Sequence, residues 1–295
     1  MPDPPKLVSS WHVRALAGEP FAVIRVRDLQ STICAGSDAW GRTFKPQPVV
    51  ISATLSMATP FDAASASDTV ADDTVHYGLL AKAILAGLER VNGGNLSLSA
   101  AMRSLWAHLT GFVAGEDGWK SEGREGTLLG RKGIRYLGLE VTLPKASLLG
   151  SGVSLSWDAV FGEDSAAIAA WSSCLKIREL RVPTLIGVND NERTARQVVV
   201  ADVEIEGYRG TRHDIYVGIE SIIVKTLEQS SFETLEALGP AITSSIRRDF
   251  KDSQAQEPHD VSAWAIKVAL EKPTAITFAA ASRVEYRETS QGGRS

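Results

Sequence analysis

The chain has 295 residues, 44% hydrophobic and 22% charged, with a formal net charge of −4, the balance of a globular protein long enough for two domains. That charge offers no overall attraction to nucleic acid or anionic lipid, and its Lys and Arg residues are interspersed with acids. No apolar run reaches the roughly 18 to 20 residues that cross a bilayer, and Met1–Lys6 lacks the pattern of a secretory signal, so a cytoplasmic protein with no membrane partner is expected.

Residues 1 to about 18 read as a loose tail. The stretch Arg27–Arg42 then aligns with Arg178–Arg193 at a constant offset of 151 (178 − 27 and 193 − 42). The alternating strand Val49–Leu55 follows the first stretch as Val199–Ile205 follows the second. Each copy continues with a helix after a tyrosine, Tyr77 or Tyr216, and closes with a strand pair around Lys145 or Lys272. A repeat this long implies duplicated domains, because solenoid units are much shorter. The first copy carries a polar, glycine-rich insertion, Gly111–Gly133, expected to be a surface loop, and Gly162–Ser173 reads as the connector.

In the second copy the period of two predicts strands over 175–185 and 197–206, joined by the polar turn Gly187–Arg193. Apolar residues at Ile219, Ile222, Ile223 and Leu227 predict a helix over 216–227. A second helix is expected over about 232–250, on Leu235, Leu238, Ile242 and Ile246. Strands over 261–270 and 276–286, punctuated by Pro273, complete a β-β-α-α-β-β unit, with 288–295 as a loose tail. The fold class is therefore α+β: two tandem domains, 20–162 and 174–288, each an antiparallel four-stranded sheet with two helices on one face. Its unpaired edges favour oligomerisation.

Four short motifs fall in order along the second copy: Ile186-Gly-Val-Asn-Asp-Asn-Glu192, Tyr216 opening a helix, Phe232-Glu-Thr-Leu-Glu236, and Lys272-Pro-Thr-Ala275. Together they resemble dihydroneopterin aldolase of folate biosynthesis, and the resemblance implies its tunnelling fold in a tandem, fungal-type arrangement. It also implies a pterin substrate, a homo-oligomeric ring, and acid/base cleavage without metal, Schiff base or other cofactor. By that resemblance Lys272, Glu192 and a tyrosine are catalytic, and Glu236 binds the pterin edge through paired hydrogen bonds.

The first copy departs from the pattern. Asp73-Thr-Val-His-Tyr77 matches well, but Gly41 stands where the turn glutamate belongs, no acid occurs from Val91 to Gly115, and Lys145 is left without carboxylate partners. The second copy lacks the Asp-Thr-Val segment before Tyr216. The losses are complementary, so a composite site is expected in which Tyr77 serves Glu192, Glu236 and Lys272; Tyr216 is the alternative phenol. Each residue also has a plain structural reading: a solvated lysine in a turn, a glutamate favoured by a helix dipole, tyrosines packed on the sheet, and His76 and His213 as caps. Cys34 and Cys174, without metal-ligand spacing, read as reduced space-fillers. A pterin-binding scaffold without turnover, and a dihydropterin epimerase or oxygenase, are the alternative functions.

Overall fold

The computed structural model describes residues 5–43, 45–92, 94, 96–115, 118–130, 132–162, 167–210, 213–250 and 263–289. In chain order the elements are β1 (Lys6–Leu7), α1 (Ser10–Ala17), β2 (Val23–Ile33), β3 (Gln47–Met57), α2 (Asp62–Ser67), α3 (Tyr77–Val91), α4 (Leu98–Thr110), β4 (Phe112–Gly115), β5 (Gly118–Ser121), β6 (Ile134–Leu143), β7 (Gly152–Phe161), β8 (Ile168–Thr184), β9 (Gln197–Glu206), α5 (Tyr216–Gln229), α6 (Leu235–Asp249), β10 (Ala265–Lys272) and β11 (Ser282–Glu288).

Each half runs strand-strand-helix-helix-strand-strand: β2, β3, α3, α4, β6, β7 and then β8, β9, α5, α6, β10, β11. The strands do not form two separate sheets. They make one antiparallel sheet in the order β11-β10-β9-β8-β7-β6-β3-β2, fused where β7 pairs with β8 from Gly152↔Arg178 to Phe161↔Ile168. The expected connector is correspondingly shorter. Ile168 and Ala170 are buried, one in the main core and the other on the second face, and belong to β8, which pairs antiparallel with β7.

Both halves bend their first hairpin in the same way. Asp28 and Glu179 adopt left-handed conformations, φ 52° and 50°, at register shifts between Val26 and Leu29 and between Ile177 and Leu180. Each bulge amide is held by the facing strand, Asp28 N–H by Ser52 Oγ at 3.0 Å and Glu179 N–H by Asp202 Oδ1 at 2.9 Å. Each β-bulge sharpens the local twist.

The helices α3 to α6 bury stripes such as Leu80, Ile84, Leu88 on α3 and Ile219, Ile223, Leu227 on α5 in one core against the sheet. On β6 and β7, Leu137, Trp157 and Ala159 join that core, while the alternating Tyr136, Asp158 and Val160 point the other way. The second face carries α1. Its Val13 is fully buried against Tyr136, Val160 and Ala170, and β1 pairs in parallel with Ala170 and Trp171 of β8. The Glu206 carboxylate accepts from Ser10 N–H and Oγ–H at the start of α1, and Arg135 donates to the Leu16 and Ala17 carbonyls at its end. Both charges suit the helix dipole. The expectation of a loose tail over 1–18 is thus wrong for the described part: α1 has an apolar seat and charged anchors at both ends.

The insertion is also built in. Its strands β4 and β5 form a hairpin that sets Trp119 against Trp106, Trp157 and Trp171, with ring centroids 5.8, 5.5 and 5.3 Å away. An aromatic anchor of that size outweighs the polar composition that suggested a surface loop. Among the described residues no helix is long and apolar enough to cross a membrane.

Candidate active site

Lys272 ends β10, and Glu192 lies in the turn between β8 and β9. Because β9 pairs with β10, the turn and the strand end are brought together. Lys272 Nζ donates to Glu192 Oε1 at 2.6 Å, and the lysine is only 8% exposed. Burying a lysine this far from water is costly without a partner for its amino group.

The turn is shaped to supply that partner. Asn189 caps a 3-10 turn, and its backbone N–H and side-chain amide both donate to Glu192 Oε2, at 3.2 and 3.0 Å. Gly187 has φ 145°, and a Cβ there would lie 2.3 Å from Glu192 Cβ, so only glycine lets the glutamate fold back over the turn. Gln197 Nε2 donates to the Ile186 and Glu192 carbonyls. Arg193 donates to the Gly187 carbonyl and to that of Ser231 just ahead of α6. With Lys272 as the main cause and the Asn189 amide next, these donors hold the Glu192 carboxyl at a pKa of about 2, well below its usual value.

Glu236 sits in the first turn of α6, after the N-cap Thr234, whose hydroxyl accepts from Ala237 N–H. It is exposed and makes no hydrogen bond or ion pair among the described residues, while its helix packs on β10 and β11. The Arg193 link therefore ties the Glu192 turn to the segment that starts Glu236's helix. Val188 on the Glu192 turn, Phe232 ahead of α6, and Ile276 and Phe278 after Lys272 are exposed apolar side chains. These segments carry a lysine-carboxylate pair and a carboxylate without internal partners among the described residues.

The two tyrosines have different surroundings. Tyr216 is 1% exposed and spans the junction of the halves: its hydroxyl donates to the Ser37 carbonyl and accepts from the Ser37 N–H, both at 2.7 Å. Burial pushes its pKa well above the ordinary value. Its hydroxyl is engaged with the Ser37 backbone as donor and as acceptor. Tyr77 opens α3 and is 68% exposed. Its helix packs on β2, six strand spacings of about 4.8 Å along the sheet from β10. Within one chain, Tyr77 and Lys272 stand at opposite ends of the molecule.

In the first half the counterparts form no lysine-carboxylate pair among the described residues. Gly41 stands where Glu192 does in the other turn, and the carboxylate present, Asp38, accepts from Trp40 N–H, Arg42 N–H and the Arg42 guanidinium. Lys145 is exposed and makes no ion pair among the described residues. His76 caps α3, with Nδ1 accepting from Gly78 N–H, and Asp73 accepts from the Ala63 and Ala64 amides at the start of α2. The positioning roles of Asn189, Gln197 and Arg193 escaped the sequence reading. Gln197 had one signal, since it aligns with Gln47 at an offset of 150 (197 − 47), and Gln47 Nε2 likewise donates to the Ala35 carbonyl.

The fold, mixed α/β on an antiparallel sheet, is shared over most of the chain with solved urate oxidases. The enzyme from Bacillus sp. TB-90 is 9% identical over 91% of this chain and 99% of that one, with a TM-score of 0.56. A uricase from Bacillus fastidious is 8% identical over 92% and 94%, with a TM-score of 0.53. At those identities the likeness is one of fold. The site-bearing half has a more particular relation, because residues 175–287, from β8 to β11, match the family model FolB, dihydroneopterin aldolase. The Escherichia coli dihydroneopterin aldolase solved in complex with neopterin is 23% identical over 39% of this chain and 97% of that one, with a TM-score of 0.33. No curated protein matches the chain.

Proposed function

We propose that this chain is a cytoplasmic dihydroneopterin aldolase with tandem units at 20–162 and 174–288, and that a second copy completes its working site. The observation that carries the reading is the Lys272–Glu192 pair, held by a glycine-dependent turn within the segment that matches the aldolase family model.

Retro-aldol cleavage of 7,8-dihydroneopterin removes a proton from the side-chain hydroxyl next to the scissile bond. The carbon-carbon bond then breaks, its electrons enter the ring imine, and glycolaldehyde leaves. Reprotonation of the ring-attached carbon gives 6-hydroxymethyl-7,8-dihydropterin. Lys272 moves these protons through an ordered water, and Glu192 orients that water and the substrate hydroxyls. Glu236, free of internal partners, accepts from the amino group and ring N–H of the pterin, and Tyr77 of a second copy helps protonate the enol-like intermediate.

The junction within the chain supports the role given to a second copy. There the helix start at Tyr216 meets the Ser37 turn and the start of α4 in the other half. Tyr77 arriving in the same way at the Gly187–Arg193 turn and the start of α6 has to come from another molecule. The two outer strands, β2 and β11, each have one sheet neighbour, leaving edges that a ring of copies closes.

The test is incubation of the purified protein with 7,8-dihydroneopterin. Glycolaldehyde release by the parent, lost in Lys272→Ala, is the expected result. Binding without turnover would make the protein a pterin-binding scaffold, a reading favoured by the first half, which forms no lysine-carboxylate pair among the described residues. A different product would place it among the epimerases or oxygenases.

A further inference from the structure

The two helices that open on a tyrosine treat its phenol differently. Tyr216 has its hydroxyl on both backbone groups of Ser37, and the residue before it, Ile215, makes no side-chain cap bond. Tyr77 is 68% exposed, and its hydroxyl makes no hydrogen bond among the described residues. Its one aromatic contact there is the imidazole of His76, with ring centroids 5.1 Å apart and planes 36° apart.

The imidazole is itself anchored. His76 is the N-cap of α3, and its Nδ1 accepts from Gly78 N–H at 2.9 Å. A Cβ on Gly78 would lie 2.9 Å from His76 Cε1 and 3.1 Å from Nδ1, so a larger residue there pushes the ring off its seat.

Capping alone does not account for this choice. The other side-chain caps of the described α-helices are hydroxyls, Ser9 on α1, Ser97 on α4 and Thr234 on α6, and a hydroxyl is small enough to cap without a glycine two places on. Glycine within a helix costs about 1 kcal/mol relative to alanine. At α3 that cost accompanies a ring laid beside the phenol, in the tyrosine-opened helix whose phenol has no backbone tie. A flat neighbour narrows the rotamers open to an exposed side chain, and a group already in its productive pose loses less entropy when it docks.

We infer that His76 is a positioning residue: its imidazole, seated on Gly78 N–H, sets the pose in which Tyr77 is delivered to the site of a second copy. The delivery rests on the aldolase reading above. The setting of the phenol by the imidazole does not.

Two full-length variants separate positioning from capping. His76→Asn keeps an acceptor for the cap and removes the ring. Gly78→Ala keeps both side chains and displaces the imidazole, while the helix propensity of alanine offsets a lost cap bond. Both should melt near the parent, and both should lower kcat for dihydroneopterin cleavage about tenfold with KM little changed. A purely structural cap would leave His76→Asn with the parental kcat, and that result overturns the inference. Should His76→Asn melt well below the parent, Gly78→Ala decides, and parental kcat there overturns it equally. The contact is also read without turnover. The Tyr77 ring-proton resonances, assigned by their loss in Tyr77→Phe, should be displaced by the imidazole ring current in the parent and move towards those of free tyrosine in both variants. Resonances unmoved in both variants overturn the inference. A parent that releases no glycolaldehyde sinks the aldolase reading, and the resonances then decide whether His76 sets the phenol.

Discussion

Lys272 and Glu192 are 80 positions apart in the chain, and their charged atoms are 2.6 Å apart in space. The pair depends on the β9–β10 ladder, which aligns the two segments, and on a turn that bends the glutamate back. Each of its supports can be removed singly.

The pH response follows from the depressed Glu192 pKa. A carboxyl whose folded value lies below its unfolded value adds stability above the unfolded value, near 4.5, and loses it as pH falls towards about 2. The pair should thus persist through mildly acidic solution. The Glu192 side-chain carboxyl resonance is expected to titrate near 2 in the parent and to move up towards the ordinary carboxylate range in Lys272→Met. An unchanged midpoint in that variant would show that Lys272 is not the main cause.

Gly187→Ala tests the turn. Its φ of 145° and the 2.3 Å approach to Glu192 Cβ mean that alanine must displace the glutamate or distort the backbone. A loss of about 2 kcal/mol or more in urea unfolding is expected, together with loss of turnover. Alanine at full stability and activity would disprove the constraint.

The tyrosines should separate cleanly. Tyr216→Phe removes a buried bond to each backbone group of Ser37 and leaves the carbonyl without the phenol's donor, a cost of about 1 to 3 kcal/mol. Tyr77→Phe, at an exposed position, should leave the melting temperature unchanged and reduce turnover. Full activity in Tyr77→Phe with none in a folded Tyr216→Phe would reverse the assignment.

Complementation tests whether the site spans two molecules. Tyr77→Phe and Lys272→Ala chains, each impaired, should regain about a quarter of the parent activity when co-expressed in equal amounts as two-chain rings, since random pairing restores that share of composite sites. No regain would place both residues in one chain's site, or exclude Tyr77 from the site.

The insertion hairpin gives a stability test remote from the site. Trp119→Ala removes the ring that contacts Trp106, Trp157 and Trp171. It should cost about 2 to 4 kcal/mol and shift the tryptophan fluorescence. An unmoved unfolding midpoint would return the segment to a surface loop.

Where a feature rests on periodicity or on a repeated residue, it could be read before the fold was known. The stripes of α5 and α6 are of this kind, whereas Lys272 and Glu192 are set side by side only by the resemblance of their motifs to a known family, since Gly41 stands at the turn position in the first copy. The place of Tyr216 was not legible, because its partners are backbone groups of Ser37, 179 positions away, and any residue type can supply those. Trp119 stands in a polar, glycine-rich stretch, and the socket that receives it is assembled from three distant segments. An eight-residue helix such as α1 has too little intrinsic stability to signal itself, and it exists because Val13 finds a seat on the sheet. The fusion of two sheets into one likewise rests on the β7–β8 register, which leaves no compositional mark.

The helix α1 is fastened to β9 by Glu206 and to β6 by Arg135, the strands that flank the central β8–β7 pair. A force parting the molecule along that midline must first peel off the helix, so resistance to mechanical rupture there is governed partly by a segment outside the ladder. Clipping the leading residues should accordingly lower the force at which that midline parts.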